Sequence, residues 1–88
     1  MLMYIYTVRD AKGQLYGRPF YCHNIGHAIR GFSDQVNDPA DGQNDLFKHT
    51  EDFELFELGT FDDNTALIET FPQPKPVCTG SSVKKITS

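Results

Sequence analysis

Leu2-Met-Tyr-Ile-Tyr-Thr-Val8 is the stretch on which the reading of this chain turns. It is aromatic and β-branched and carries no charge. A segment of that kind favours a strand buried on both faces. Arg9-Asp10-Ala11-Lys12-Gly13-Gln14 follows, polar and glycine-containing, as a hairpin loop requires. Leu15 to Cys22 then reads as the returning strand. Pro19 has no N–H to give to a ladder, so this second strand is expected at an edge or broken by a bulge.

Beyond the hairpin the period changes from two to three and four. Asn24 is suited to an N-cap, and Ile25, Ala28, Ile29, Phe32 and Val36 form one apolar stripe on a helix. Gly31 lies within that helix, where it weakens it by about 1 kcal/mol relative to Ala and invites close approach to a sheet. Asn37-Asp38-Pro39 stops it. A polar loop (40–45) leads to a helical turn expected within Leu46 to Asp52. Phe53 to Phe61 reads as a strand, Asp62-Asp63-Asn64 as a turn, and Ala66 to Phe71 as the return strand. From Pro72 the chain is proline-rich and then polar, which predicts a disordered tail.

The expected fold is therefore α+β. Two β-hairpins flank one helix (ββαββ) in a single antiparallel sheet with the helix on one face. Residues 1–71 form the compact domain and 72–88 the tail. A small OB-like or swapped barrel is the rival arrangement.

With 88 residues there is room for one domain, which hides only about 60% of its unfolded surface. Self-association would add burial, and a homodimer or higher homo-oligomer, built by strand pairing or hairpin exchange, is expected. The net charge of −4 argues against coating nucleic acid by charge alone, although Arg9, Lys12, Arg18 and Arg30 all precede residue 31. Cys22 and Cys78 are expected as free thiols in a reducing compartment. No run approaches the ~20 apolar residues of a membrane helix, and no secretory signal pattern is present at the start. A cytoplasmic protein without membrane contact is the expectation.

Catalytic motifs are missing: no phosphate-binding glycine loop, no nucleophile elbow and no nucleophile–base set at a recognised spacing. The chain is expected not to be an enzyme and to need no cofactor. Cys22, His23 and His27 suggest a metal site, but no second ligand cluster follows at finger-like spacing, so they read as residues near a helix start. The first hairpin is more informative. Arg9, Lys12 and Arg18 alternate there with Tyr6, Tyr16, Phe20 and Tyr21. Cations for phosphates and rings for bases are what single-stranded nucleic acid needs. The bland alternative is that the rings are core and the arginines pair with carboxylates, Arg30 with Asp34 among them.

Four segments together resemble one family. They are Tyr-Thr-Val-Arg-Asp (6–10), Ala-Ile-Arg-Gly-Phe-Ser-Asp-Gln-Val-Asn-Asp-Pro (28–39), Lys-His-Thr-Glu-Asp-Phe-Glu-Leu (48–55) and Leu-Gly-Thr-Phe-Asp-Asp-Asn-Thr (58–65). In order and spacing, over most of residues 3–71, they are similar to the small non-structural proteins of gokushovirus-type microviruses, phages with single-stranded DNA genomes. Two departures are visible: Thr50 stands where a proline often follows the histidine, and Ala66 replaces a glycine-like turn end.

The resemblance implies a DNA-binding accessory protein that modulates viral DNA replication or packaging in the cytoplasm of the bacterial host. Joined to the hairpin pattern, it points to Arg9, Lys12, Arg18 and Arg30 at phosphates and Tyr6, Tyr16 and Tyr21 under bases. The alternative is a protein–protein adaptor acting on the viral initiator, the procapsid or a host factor without touching DNA.

Overall fold

The computed structural model describes residues 1–85. Its strands are β1 (Leu2–Asp10), β2 (Leu15–Tyr16), β3 (Phe20–Cys22), β4 (Phe53–Asp62) and β5 (Leu67–Thr79). Its helices are α1 (Ile25–Val36), α2 (Asp45–Lys48) and α3 (Gly80–Val83), with 3-10 turns at Ala40–Gly42 and Thr50–Asp52. All five strands join one antiparallel sheet in the order β2-β1-β4-β5, and β3 shares with β2 the outer edge of β1. The sheet is curled but open, with β5 at its far edge.

The α+β class, the single antiparallel sheet and the helix on one face are as expected. The simple ββαββ order is not. The return strand of the first hairpin is divided into β2 and β3 by Gly17-Arg18-Pro19, where Pro19 interrupts the ladder on an edge. Short helices also fill the connection between α1 and β4.

Residues of β1 and their cross-strand partners divide into two faces. Tyr4, Tyr6 and Val8 lie with Cys22, Phe20 and Leu55 on the face that α1 covers. Ala28, Phe32 and Val36 of α1 close the core over Tyr6 and Leu55, which are fully buried. The helix starts as its sequence dictates: the Asn24 side chain accepts the His27 N–H at 2.9 Å. Gly31 does not serve the sheet contact expected of it. A Cβ there would meet nothing within 4 Å, because Gly31 lines an open groove beside α1.

The largest correction concerns the tail. β5 does not end at Phe71 but continues to Thr79, and α3 follows directly. Leu55 pairs with Cys78 and Phe56 with Pro76, while Val77, Cys78 and Val83 pack against the core. Proline is tolerated because β5 is an edge strand, where a missing N–H need not break a ladder bond. The register jumps from Glu57↔Lys75 to Gly59↔Thr70, so Phe71 to Pro74 bulge out opposite Leu58. Gly59 makes this possible: a Cβ would sit 2.0 Å from the Glu69 carbonyl oxygen. Residues 86–88 of the expected tail lie outside the described residues.

Candidate nucleic-acid interface

The face of the sheet turned away from α1 carries the other half of β1. Met3, Ile5, Thr7 and Arg9 alternate with the core residues, and their partners share this face. Arg9 pairs with Tyr16 of β2 and Glu54 of β4, Thr7 with Phe56, Ile5 with Tyr21, and Met3 with Phe61. The rings meet in two edge-on pairs: Tyr16 and Phe56 are 5.5 Å apart between centroids, Tyr21 and Phe61 6.0 Å. Ile5 and Thr7 lie beneath them and are buried, although no helix covers this side. The Thr7 hydroxyl donates to the Gly17 carbonyl at 2.8 Å, which fixes the broken edge against β1.

Tyr16 and Tyr21 remain 45% and 48% exposed, enough ring surface to stack a flat partner. The Arg9 guanidinium lies 5.7 Å from the centre of the Tyr16 ring. No carboxylate holds it. Among the described residues the only ion pairs are those of the N-terminal ammonium with Asp62 and Asp63. The expected Arg30–Asp34 pair does not form within 4.0 Å, and the hairpin cations are likewise unpaired.

Of the seven residues expected at a DNA site, the structure brings three together: Arg9, Tyr16 and Tyr21. Lys12 is exposed at the hairpin turn, lining a cleft with Asp10, Asp45, His49 and Asp52. Arg18 rims the groove between β3 and α1 on the opposite side. Arg30 is exposed on α1, two residues from the buried Ala28 and so on the helix side turned from the sheet. Tyr6 is in the core with 0% exposure and cannot stack a base. Burial, with Glu57 next in weight, pushes its phenol up to about 12.

Phe56 and Phe61 are the platform residues that the hairpin pattern did not supply. They come from β4, and the signal for them is register: each lies opposite an outward residue of β1.

The metal reading at Cys22, His23 and His27 gains no geometry. His27 lines the groove with Arg18, while His23 lines a separate cleft beside Tyr4 and Glu57. Burial raises the Cys22 and Cys78 thiols above their ordinary value, with Glu54 adding to the effect at Cys78, so both are poor nucleophiles at neutral pH. One donor atom each from His49, Glu51 and Asp52 lie within 4.8 Å of one another. Glu51 and His49 are exposed, and among the described residues no further His, Cys, Asp or Glu joins the group, so they form a surface cluster without an assigned role. No helix among the described residues is long and apolar enough to cross a membrane.

A family model described as Phage ORF5 protein matches residues 3–83. The match passes Pro72 and includes the later part of β5 and all of α3, which fall in the stretch expected as a tail. No curated protein and no solved structure matches the chain.

Proposed function

The chain belongs to the Phage ORF5 protein family, and from that membership we propose a non-catalytic phage accessory protein that binds single-stranded DNA on the open face of its sheet and modulates viral DNA replication or packaging. The virus is of the gokushovirus type, and the protein acts in the cytoplasm of the infected bacterium. One observation carries the DNA reading: Arg9, without an ion-pair partner, lies over Tyr16 beside three more rings on a face that no helix covers. Stacking on such rings is worth roughly 1–3 kcal/mol per base and tolerates any sequence. A nearby cation fixes the phosphate between bases.

The test is a titration of labelled oligothymidylate, with duplex DNA in parallel, followed by fluorescence anisotropy at low salt. Binding of the single strand, weaker binding of the duplex and loss with Tyr16→Leu support the reading. An oligonucleotide that does not bind at low salt removes it.

The adaptor reading has its own observation. Arg9 is the one arginine on the platform, because Arg18 and Arg30 lie on the helix side. Dispersed cations around exposed apolar rings suit a protein partner such as a viral replication or procapsid protein. That reading takes over if the titration is silent.

A further inference from the structure

Helix α1 is fastened along one flank. There the Asn37 side chain and the Ser33 hydroxyl donate to the Val83 carbonyl at 3.0 and 3.4 Å. The opposite flank carries His27, Gly31 and Gln35, each four residues from the next and so in one line along the helix. All three are exposed. The His27 N–H donates to the Asn24 side chain and the Gln35 carbonyl accepts from Asn44, but the side chains of His27 and Gln35 have no partner among the described residues.

A groove of about 500 Å³ lies between this line and the sheet edge at Gly17 and Arg18, where the edge strand is interrupted. Gly31 is in its lining without a packing reason to be glycine. A Cβ there would meet nothing within 4 Å, and glycine weakens the middle of a helix. What glycine provides at this position is space.

The groove's lining defines what it can hold. Phe20, Ala28 and Phe32 make its wall apolar, and the last two are buried. Its polar side chains are donors: the Arg18 guanidinium, the His27 ring and the Gln35 amide. The chain has 12 Asp and Glu, yet none lines this groove. Among the described residues Arg18 has no ion-pair partner. An apolar wall with a few polar groups is the make-up of a small-molecule site, and such sites measure about 300–1,000 Å³.

We propose that this groove binds a small amphipathic carboxylate, with its acyl chain against Phe20 and Phe32 and its head at Arg18. Charge selects an anion, because the groove offers a free cation and no carboxylate. Shape selects an extended chain: the line from His27 to Gln35 is about 12 Å long. A polypeptide segment fits less well, since its backbone N–H and C=O groups would enter an apolar wall that offers them no partner. The site is on the helix side of the sheet and uses none of the platform residues.

The test follows amide chemical shifts by NMR in the full-length protein during titration with dodecanoate below its micelle concentration. Dodecyltrimethylammonium, a cation with the same chain, is the control. Dodecanoate should give saturable shifts centred on Gly17, Arg18, Phe20 and the helix from His27 to Gln35. The ammonium should bind at least about tenfold more weakly, and Arg18→Gln should weaken dodecanoate about tenfold. Gly31→Leu, whose side chain would occupy the groove, should abolish saturable binding with an unchanged far-UV circular dichroism spectrum. Should that variant unfold, Arg18→Gln decides, because the Arg18 side chain is exposed and unpaired among the described residues. Absence of saturable shifts overturns the proposal. So do shifts centred on Tyr16 and Phe56, equal binding of the ammonium, or full affinity in a folded Gly31→Leu or Arg18→Gln protein. None of these readouts depends on DNA binding.

Discussion

The Lys84 ammonium lies 3.6 Å from the centre of the Phe47 ring and donates hydrogen bonds to the carbonyls of Val36, at 2.9 Å, and Phe47, at 3.0 Å. One side chain thereby caps the C-terminal end of α1 and fastens α2 to it, where a cation is favoured by the helix dipole. Asn37 adds to the clasp: its side chain donates to the Val83 carbonyl and accepts the Lys85 N–H. Deleting residues 72–88 should therefore lower the melting temperature sharply or abolish cooperative unfolding, since it strips an edge strand and the packing of Val77, Cys78 and Val83 from a small domain. A deletion variant that melts like the full chain would return this segment to the status of a tail.

Lys84→Met isolates the clasp. It keeps the length of the stem but loses both hydrogen bonds and the charge over Phe47. Urea denaturation should show a loss of about 1.5–3 kcal/mol, the range for hydrogen bonds that involve a charged group.

Ala66 ends the β4–β5 turn with φ of +62°. The turn is otherwise well supplied: the Ala66 N–H reaches the Asp62 carbonyl at 2.7 Å, and the Asn64 N–H reaches the Asp62 carboxylate at 2.9 Å. A left-handed alanine costs roughly 1–2 kcal/mol, part of which glycine returns through the entropy of the unfolded chain. Ala66→Gly should raise stability by about 0.5–1 kcal/mol, read from the urea midpoint.

Much of the fold is legible in residue pattern. The uncharged Leu2–Val8 stretch became the central strand, Asn24 capped the helix, and Ala28, Phe32 and Val36 reached the core. Pro19 broke its strand as the missing donor requires. The same logic misled at Pro72, Pro74 and Pro76. Proline argues against a central strand, not against an edge strand, and only the partner's position distinguishes the two. The candidate site was half legible. Tyr16, Tyr21 and Arg9 share a face because strand side chains alternate, but Tyr6 obeys the opposite parity and went inside. Phe56 and Phe61 depend on long-range register, which includes a shift between Ile5 and Tyr6 that no local pattern announces.

Tyr6 also makes stability depend on alkaline pH. Its phenol is raised to about 12 in the folded protein by burial and by Glu57, and it returns to about 10 when unfolded. The neutral form is thus favoured by folding. That contribution is complete below about pH 10 and is lost as pH rises through about 12. The urea midpoint should fall across that window, and the fall should be smaller in Tyr6→Phe. The N-terminal ammonium, whose pKa the hydrogen bond to Asp63 raises, contributes equally to both proteins. Identical pH profiles for the two proteins would mean that the phenol is not held neutral by the core.

DNA binding on the open face would have a recognisable salt dependence. Only Arg9 of the basic residues lies on the platform itself, so counterion release at about 0.7 per phosphate contact gives a log–log slope of only about −0.7. Most of the affinity must then come from rings. Tyr16→Leu and Tyr21→Leu should each weaken single-strand binding by roughly 1–3 kcal/mol and leave the slope unchanged. Arg9→Gln should reduce the slope by about 0.7. Arg30→Gln, on the far side of α1, should alter neither quantity. Anisotropy titrations at several salt concentrations separate these outcomes. A slope that responds to Arg30 and not to Arg9 would move the DNA from the sheet to the helix. A steep slope with no dependence on Tyr16 or Tyr21 would mean that charge, and not stacking, holds the strand.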